Sequence, residues 1–352
     1  MNHYPSNVKE KLNSIILSMA EHHWLFSQNP GHDFTRQHLG KLSFYDTMRL
    51  IISMGKGSTN DEIMDYFDLD PDLIPSQSAF CQRRRQISLS AFEYLFSEFS
   101  SSFLSTTDKF KDHCILACDG CHVVYATNSD IIEDYNKPRL IDYKGYNHMH
   151  LNGFVDVISK AFLDVVIQPG QQPDEREALH SMLDHFTPDD PQKYIITADR
   201  GYESYDLLFH CELKNLGYVF RVKSPSSPKS ILSYYASELP DDLEEFDVTI
   251  KRFFTDKATN IMKSQSDVYR YINPSKNTPH FYELLRKNHS HLYFLQFRVV
   301  KIKTTENTYE YLITNLPFSF TLDDIRECYH WRWGIEVSFR YLKHAAGLLY
   351  FH

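Results

Sequence analysis

The stretch "CILACDG" (residues 114–120) marks the point at which the chain changes character. Cys114 to Cys118 are all apolar or small, and the run ends in Asp119 and Gly120. A continuous apolar run this short, bounded by a turn-permitting glycine, predicts a strand buried on both faces and ending at Asp119. The same pattern returns in "KYIITADRGYES" (residues 193–204), where a second buried strand is predicted to end at Asp199, before Arg200-Gly201. Between them, "LNGFVDVISKAFLDVVIQPG" (151–170) reads as two alternating strands joined at Ser159-Lys160, and "DEREALHSMLDHF" (174–186) as a helix with an acidic first turn. Further on, "YDLLFHCELKNLG" (205–217) is a helix stopped by Gly217, and "YVFRVK" (218–223) a further strand. Strands alternating with helices predict an α/β sheet covered by helices.

On the N-terminal side the period is helical. "FYDTMRLIISMG" (44–55) has apolar positions at three-and-four spacing, and "STNDEIMDYF" (58–67) opens with a candidate N-cap, Ser58 or Thr59. "SQSAFCQRRRQISLSAFEYLFSEFS" (76–100) starts on Ser76 or Ser78 and carries Arg83, Arg84 and Arg85 in a row. A short helix, a turn and a capped basic helix suggest a helix-turn-helix-like reader of DNA; a solvated arginine run on a helical bundle is the competing reading. On the C-terminal side, "SPSSPKS" (224–230) reads as a linker. It is followed by β-rich runs with basic residues, such as "DVTIKRFF", "HLYFLQFRVVKIK" and "NTYEYLITNLP", and the helical period returns at Thr321. The expected organisation is a helical domain over 1–108, an α/β core over 109–223, a β-rich insertion over 224–315, and a closing helical segment over 316–352.

Composition bounds the function. A chain of 352 residues with 42% apolar and 14% aromatic residues can bury a sizeable core. No apolar run approaches the roughly 20 residues needed to span a bilayer, and the N-terminus lacks a signal-peptide pattern, so a cytoplasmic location without membrane association is expected. Six cysteines in a chain this long read as thiols, not a disulfide framework. The net charge of −9 weighs against a uniformly basic nucleic-acid surface, while leaving room for local basic patches.

Two strand-end aspartates can each be turn formers. A third acid changes their weight. "YHWRWGIEVSFRYLK" (329–343) places Tyr329, Arg332, Glu336 and Lys343 on one stripe of a single predicted helix, about 60° wide at about 100° per residue. The stripe is flanked by Trp333, Val337 and Phe339, so its charges need partners beyond water. An Arg332–Glu336 pair on a surface helix is the plain alternative. Converging Asp119, Asp199 and Glu336 carboxylates would repel one another unless divalent cations lay between them. Hard oxygen ligands suit Mg²⁺ or Mn²⁺, and a pair of such ions suits phosphodiester chemistry. Cys118 and Cys121, with His113 and His122 nearby, offer a zinc or redox reading, but no second pair follows at knuckle spacing. His148 and His150 would share a strand face as polar lining of a cleft.

These pieces resemble the IS4-type DDE transposases. "ACDGCH" looks like the first-aspartate strand of that family, "TADRGYES" its second-aspartate motif, and "DEREA" is similar to the segment following its third strand. "YHWRWGIEVSFRYLK" fits the Y-x2-R-x3-E-x6-K signature at each position. The resemblance covers roughly 112–352, and the long gap between Asp199 and Glu336 has room for the β insertion of this group. It implies an RNase H-like mixed sheet flanked by helices. The activity implied is cut-and-paste DNA transposition: metal-dependent phosphodiester hydrolysis and strand transfer. Asp119, Asp199 and Glu336 would hold two Mg²⁺ (or Mn²⁺) ions. Tyr329, Arg332 and Lys343 would contact phosphates near the cleaved end, with Arg221 and Lys223 as further DNA contacts by position. The partners implied are double-stranded DNA, as element ends and target, and a second copy of the chain on DNA. Family members usually continue for several helices past the signature lysine. The end at His352 therefore carries the expectation of impaired self-association, and the alternative of an inactive remnant that only binds DNA.

Overall fold

In the computed structural model, residues 4–35, 42–55, 57–102, 109–137, 145–273, 278–306 and 308–348 are described. The boundary expected after residue 108 and the last residues, 349–352, lie outside them. The chain divides into two compact units, Met1–Thr106 with Tyr341–His352, and Thr107–Arg340.

The first unit is helical: α1 (Tyr4–Glu21), α2 (Phe44–Ser53), α3 (Thr59–Tyr66), α4 (Gln77–Arg84) and α5 (Leu89–Ser101). Of the paired cap candidates, Ser58 starts α3 by accepting from the Asp61 N–H, and Ser76 starts α4 by accepting from Ala79. Ser43 and Asp46 form a reciprocal capping box at α2. Two apolar clusters hold these helices. Ile16, Met19, Phe44, Met48 and Ala91 form one, and Leu42, Leu50, Ile63 and Phe80 the other.

The second unit is built on one mixed sheet. β1 (Cys114–Tyr125), β2 (Tyr135–Asn136), β3 (Tyr146–Asp156), β4 (Ala161–Pro169), β5 (Tyr194–Ala198) and β6 (Gly217–Val222) form its first part. β7 (Phe246–Thr255), β8 (Tyr269–Tyr271), β9 (Leu292–Thr305) and β10 (Thr308–Thr314) form the rest. The order is β2-β3-β1-β5-β6-β10-β9-β7-β8, with β4 also on β3. β1, β5 and β6 are parallel; β3 and β10 run antiparallel to β1 and β6. The strands between 246 and 314 thus extend the same sheet through β10 on β6. Helices α6 (Glu175–His185), α7 (Tyr205–Leu213), α8 (Asn260–Ser264), α9 (Pro279–Lys287), α10 (Leu322–His330) and α11 (Trp333–Arg340) complete the unit. Its core gathers Leu116, Phe154, Leu179, Ile196, Phe209 and Tyr218, all essentially fully buried. No helix among the described residues is long and apolar enough to cross a membrane.

Two expectations change. The strand carrying Asp119 does not end there: β1 continues to Tyr125, because β3 keeps offering partners from Asp119↔Gly153 to Tyr125↔Asn147. What stops at that level is β5, whose pairing with β1 ends at Ala117↔Thr197. The segment 329–343 is also not one helix. α10 ends at His330, the chain turns with Arg332 N–H donating to Tyr329 O at 3.1 Å, and α11 starts at Trp333. Gly334 permits that start: a Cβ there would lie 3.1 Å from the Val157 carbonyl oxygen.

Candidate active site

Register brings the two aspartates to one level. Ala117 and Thr197 are paired across parallel β1 and β5, and Asp119 and Asp199 each follow two residues later, on the same side as those partners. Asp119 is half-buried where β1 loses its neighbour. Burial pushes its carboxyl up to about 6; the Gly120 N–H and the Arg332 guanidinium pull it down, and the charges of Asp199 and Glu175 add to the rise. Asp199 caps the turn Arg200–Tyr202, its Oδ1 accepting from Gly201 N at 2.7 Å, so the turn-former role and the rim position coincide in one residue.

Arg332 joins Asp119 to Glu336. Its Nη1 lies 3.5 Å from Asp119 Oδ2 and its Nη2 donates to Glu336 Oε1 at 3.0 Å. The side chain is only 8% exposed, and its Nε has no hydrogen-bond partner. The Tyr329 and Trp333 rings lie 5.7 and 5.8 Å from the guanidinium, and the buried Tyr329 hydroxyl is also unpartnered. Tyr329, Arg332 and Glu336 are therefore together despite the break between α10 and α11. Lys343 lies in a π-helical turn, Tyr341–Ala345, within the first unit, and is half-buried there.

Two further residues belong to this rim. Glu175 begins α6, and its carboxylate stands against both aspartate turns. A Cβ on Gly120 would lie 2.7 Å from Glu175 Oε1 and collide with His150, and a Cβ on Gly201 would lie 3.6 Å from Glu175 Oε2. A side chain at Gly120 would therefore displace the His150 and Glu175 side-chain ends. Glu175 Oε1 also meets His150 Nε2 at 3.1 Å. In the sequence, Glu175 reads as a first-turn acid complementing the helix dipole, within the "DEREA" segment of the resemblance, and the approach of α6 to both turns is what places it at the rim. His150 and His148 do share a face, with His122 ring centroids 4.8 and 4.7 Å away. The zinc-knuckle reading gains nothing. Cys118 and Cys121 point to opposite faces of β1, and Cys118 is fully buried, its Sγ 3.5 Å from Tyr202 Oη.

Arg221 and Lys223 have acidic partners, Arg221 with Glu310 at 3.2 Å and Lys223 with the buried Glu203 at 3.2 Å. Among the three arginines, Arg83 sits over the Phe34 ring and donates to Gln86, Arg84 lies over Phe80, and Arg84 and Arg85 are exposed.

A carboxylate cluster with one guanidinium for counter-charge has the donor chemistry that hard cations take. The pattern of the "Transposase DDE domain" family matches residues 110–352. The chain belongs to this family of transposition enzymes, whose domains use divalent metal ions. No curated protein matches the chain. A cryo-EM structure of a piggyBac transposase synaptic complex with hairpin DNA is similar at 10% identity and a TM-score of 0.44, over 86% of this chain and 61% of that one. The chain thus spans less than two thirds of that protein's length.

Proposed function

We propose that this chain is a DNA transposase of the IS4 type that moves its element by cut-and-paste, with Asp119, Asp199 and Glu336 as its catalytic carboxylates on an RNase H-like sheet. The observation that carries the reading is Arg332 bridging Asp119 and Glu336, beside an Asp199 brought to the same level by strand register. The donor set fits Mg²⁺ or Mn²⁺: hard oxygens only, an Asp119 carboxyl raised by burial and like charge, and too little fixed positive charge to balance the cluster. Asp119, Asp199 and Glu336 would hold a pair of ions, with Glu175 at their margin. Bound there, the ions would polarise the scissile phosphate and help ionise the attacking hydroxyl.

The chain's own groups have separate tasks. Arg332, positioned by the Tyr329 and Trp333 rings, would exchange its carboxylate partners for a phosphate oxygen, where its charge offsets that developing on the transferred group. The buried Tyr329 hydroxyl has a free donor for the same backbone. Lys343, and Arg83 to Arg85 in the first unit, would add phosphate contacts, while Arg221 and Lys223 can reach DNA only by leaving Glu310 and Glu203. Double-stranded DNA, as element ends and target, is the substrate this reading requires, with a second protomer on the paired ends. The test is cleavage of labelled DNA bearing the element's ends, with and without Mg²⁺ or Mn²⁺. Cation-dependent nicking that Asp119→Asn, Asp199→Asn and Glu336→Gln each abolish is expected; wild-type rates in all three folded variants would dismiss the triad.

A further inference from the structure

Away from the carboxylate rim, three histidines from three helices meet under the sheet. His180 lies on α6, His210 on α7 and His280 at the start of α9, and one ring nitrogen from each comes within 4.8 Å of the others. Their rings stack within 17° of parallel, with centroids 3.8 to 5.2 Å apart. His210 is buried, and the other two are half-buried.

The partners of these rings fix their protons. His280 Nδ1 meets Asp206 Oδ2 at 2.7 Å, an acceptor that takes the Nδ1–H and so turns Nε2 of the neutral ring into the free ligand atom. His210 Nε2 faces Asp184 Oδ1 at 3.2 Å, which leaves Nδ1 of His210 as the acceptor. His180 Nε2 faces Asp206 Oδ2 at 3.6 Å, and its Nδ1 looks at His210 Nδ1 at 2.9 Å. If the carboxylates take both Nε2 protons, two lone pairs face each other at hydrogen-bond distance. A proton between them would have to come from the His180 nitrogen that faces Asp206 at 3.6 Å. A cation satisfies both nitrogens while the outer N–H groups remain directed at the carboxylates. An imidazole whose outer N–H is held by a carboxylate is the usual second-layer arrangement of a histidine metal ligand.

We propose that His180, His210 and His280 form a structural site for one zinc-class transition-metal ion, oriented by Asp206 and Asp184 and separate from the divalent-ion site of the rim. Three imidazoles select Zn²⁺, Co²⁺ or Ni²⁺ over Mg²⁺. To bind, the stacked rings would splay until their donors lie about 2.0–2.1 Å from the ion. Asp206 already links the elements concerned: its Oδ1 accepts the His280 and Phe281 N–H groups at 3.1 and 3.2 Å, capping α9 from α7. The ion would therefore clamp α9, which follows β8 in the chain, to the helices α6 and α7 that lead from the rim.

The full chain, stripped with a chelator, should be titrated with Co²⁺ and Zn²⁺. Tetrahedral Co²⁺ ligand-field bands saturating at one ion per chain, displaced by Zn²⁺, are expected. His180→Gln and His280→Gln, each checked by circular dichroism, should weaken Zn²⁺ binding about tenfold or more. An Asp119→Asn/Asp199→Asn variant should bind Co²⁺ with the unchanged spectrum, which keeps this site distinct from the rim. Absence of the bands in the unaltered protein, or bands that both histidine variants retain, would overturn the proposal.

Discussion

Arg332 and Asp119 face each other at 3.5 Å from a turn between two helices and the middle of a strand, and the same guanidinium holds Glu336 at 3.0 Å. A cation fixed on two proposed metal-binding carboxylates competes with any ion they bind. Arg332→Gln should therefore raise the affinity for Mn²⁺, read by its electron spin resonance signal, by several-fold. The same variant should lower cleavage by about 10²-fold or more, since it also loses a charged donor to phosphate. Weaker Mn²⁺ binding in the variant would show that Arg332 organises the carboxylates and does not compete for them.

Asp119 gives a stability prediction with a definite sign. Its carboxyl is raised to about 6 in the folded chain, so the folded state holds the proton more tightly than the unfolded one. That contribution is fully present below the ordinary carboxyl value and is lost as pH rises through about 6. In metal-free protein, Asp119→Asn should be more stable than the unaltered chain at pH 7.5 by at most about 3 kcal/mol, and the difference should vanish near pH 4. Urea unfolding at both pH values checks this. A variant less stable than the original at neutral pH would mean that the Arg332 contact outweighs desolvation.

Glu175 tests whether the rim has a fourth working acid. It touches both aspartate turns and His150, so Glu175→Gln keeps its size and removes its charge. The expected result is a higher Mg²⁺ concentration for half-maximal cleavage, by about tenfold, with DNA affinity in metal-free buffer unchanged. An unaltered Mg²⁺ dependence would leave Glu175 as a helix-start residue only.

Much of this was readable because local pattern and tertiary role agree. The apolar runs before Asp119 and Asp199 are buried strands, and the α/β rhythm from 112 to 223 is the sheet's first part. The failures share a cause. Gly120 looks like a turn signal, but it lies within β1 beneath the ends of His150 and Glu175, and such tertiary contacts leave no mark in the local sequence. The single helix expected over 329–343 breaks at Arg332; Gly334 is the weak helix former in "YHWRWG", but one glycine does not by itself end a helix, and its close packing on Val157 comes from a distant strand end. His180, His210 and His280 are far apart in sequence and meet only when three helices pack.

The basic run of α4 divides by geometry. Arg83 packs on Phe34 and bonds Gln86, whereas Arg84 and Arg85 are exposed. Arg84→Ala/Arg85→Ala should lower the salt slope of DNA binding by about 2, at roughly 0.9 per phosphate contact, with a loss of stability no greater than about 1 kcal/mol from the Arg84–Phe80 ring contact. Arg83→Ala should cost stability of about 1 kcal/mol through the lost ring contact. Fluorescence anisotropy across a salt series measures the first and thermal unfolding the second. A slope unchanged by the double variant would remove α4 from the DNA-contacting surface.

Lys223 separates a DNA contact from a structural one. Its Nζ lies 3.2 Å from Glu203 Oε2, and the Glu203 side chain is 1% exposed. That carboxylate also accepts the Lys223 N–H at 3.0 Å and the Ile231 N–H at 2.6 Å, tying the end of β6 to the segment that follows it. Lys223→Met would leave a buried charge with backbone donors alone, a loss of about 1–3 kcal/mol. Adding Glu203→Gln removes that uncompensated charge, so the double variant should recover part of the loss. Because Lys223 is held by Glu203, the single variant should leave the salt slope of DNA binding where it was. Urea unfolding beside anisotropy at several salt concentrations decides the matter: unchanged stability with a slope lowered by about 1 would make Lys223 a phosphate contact after all.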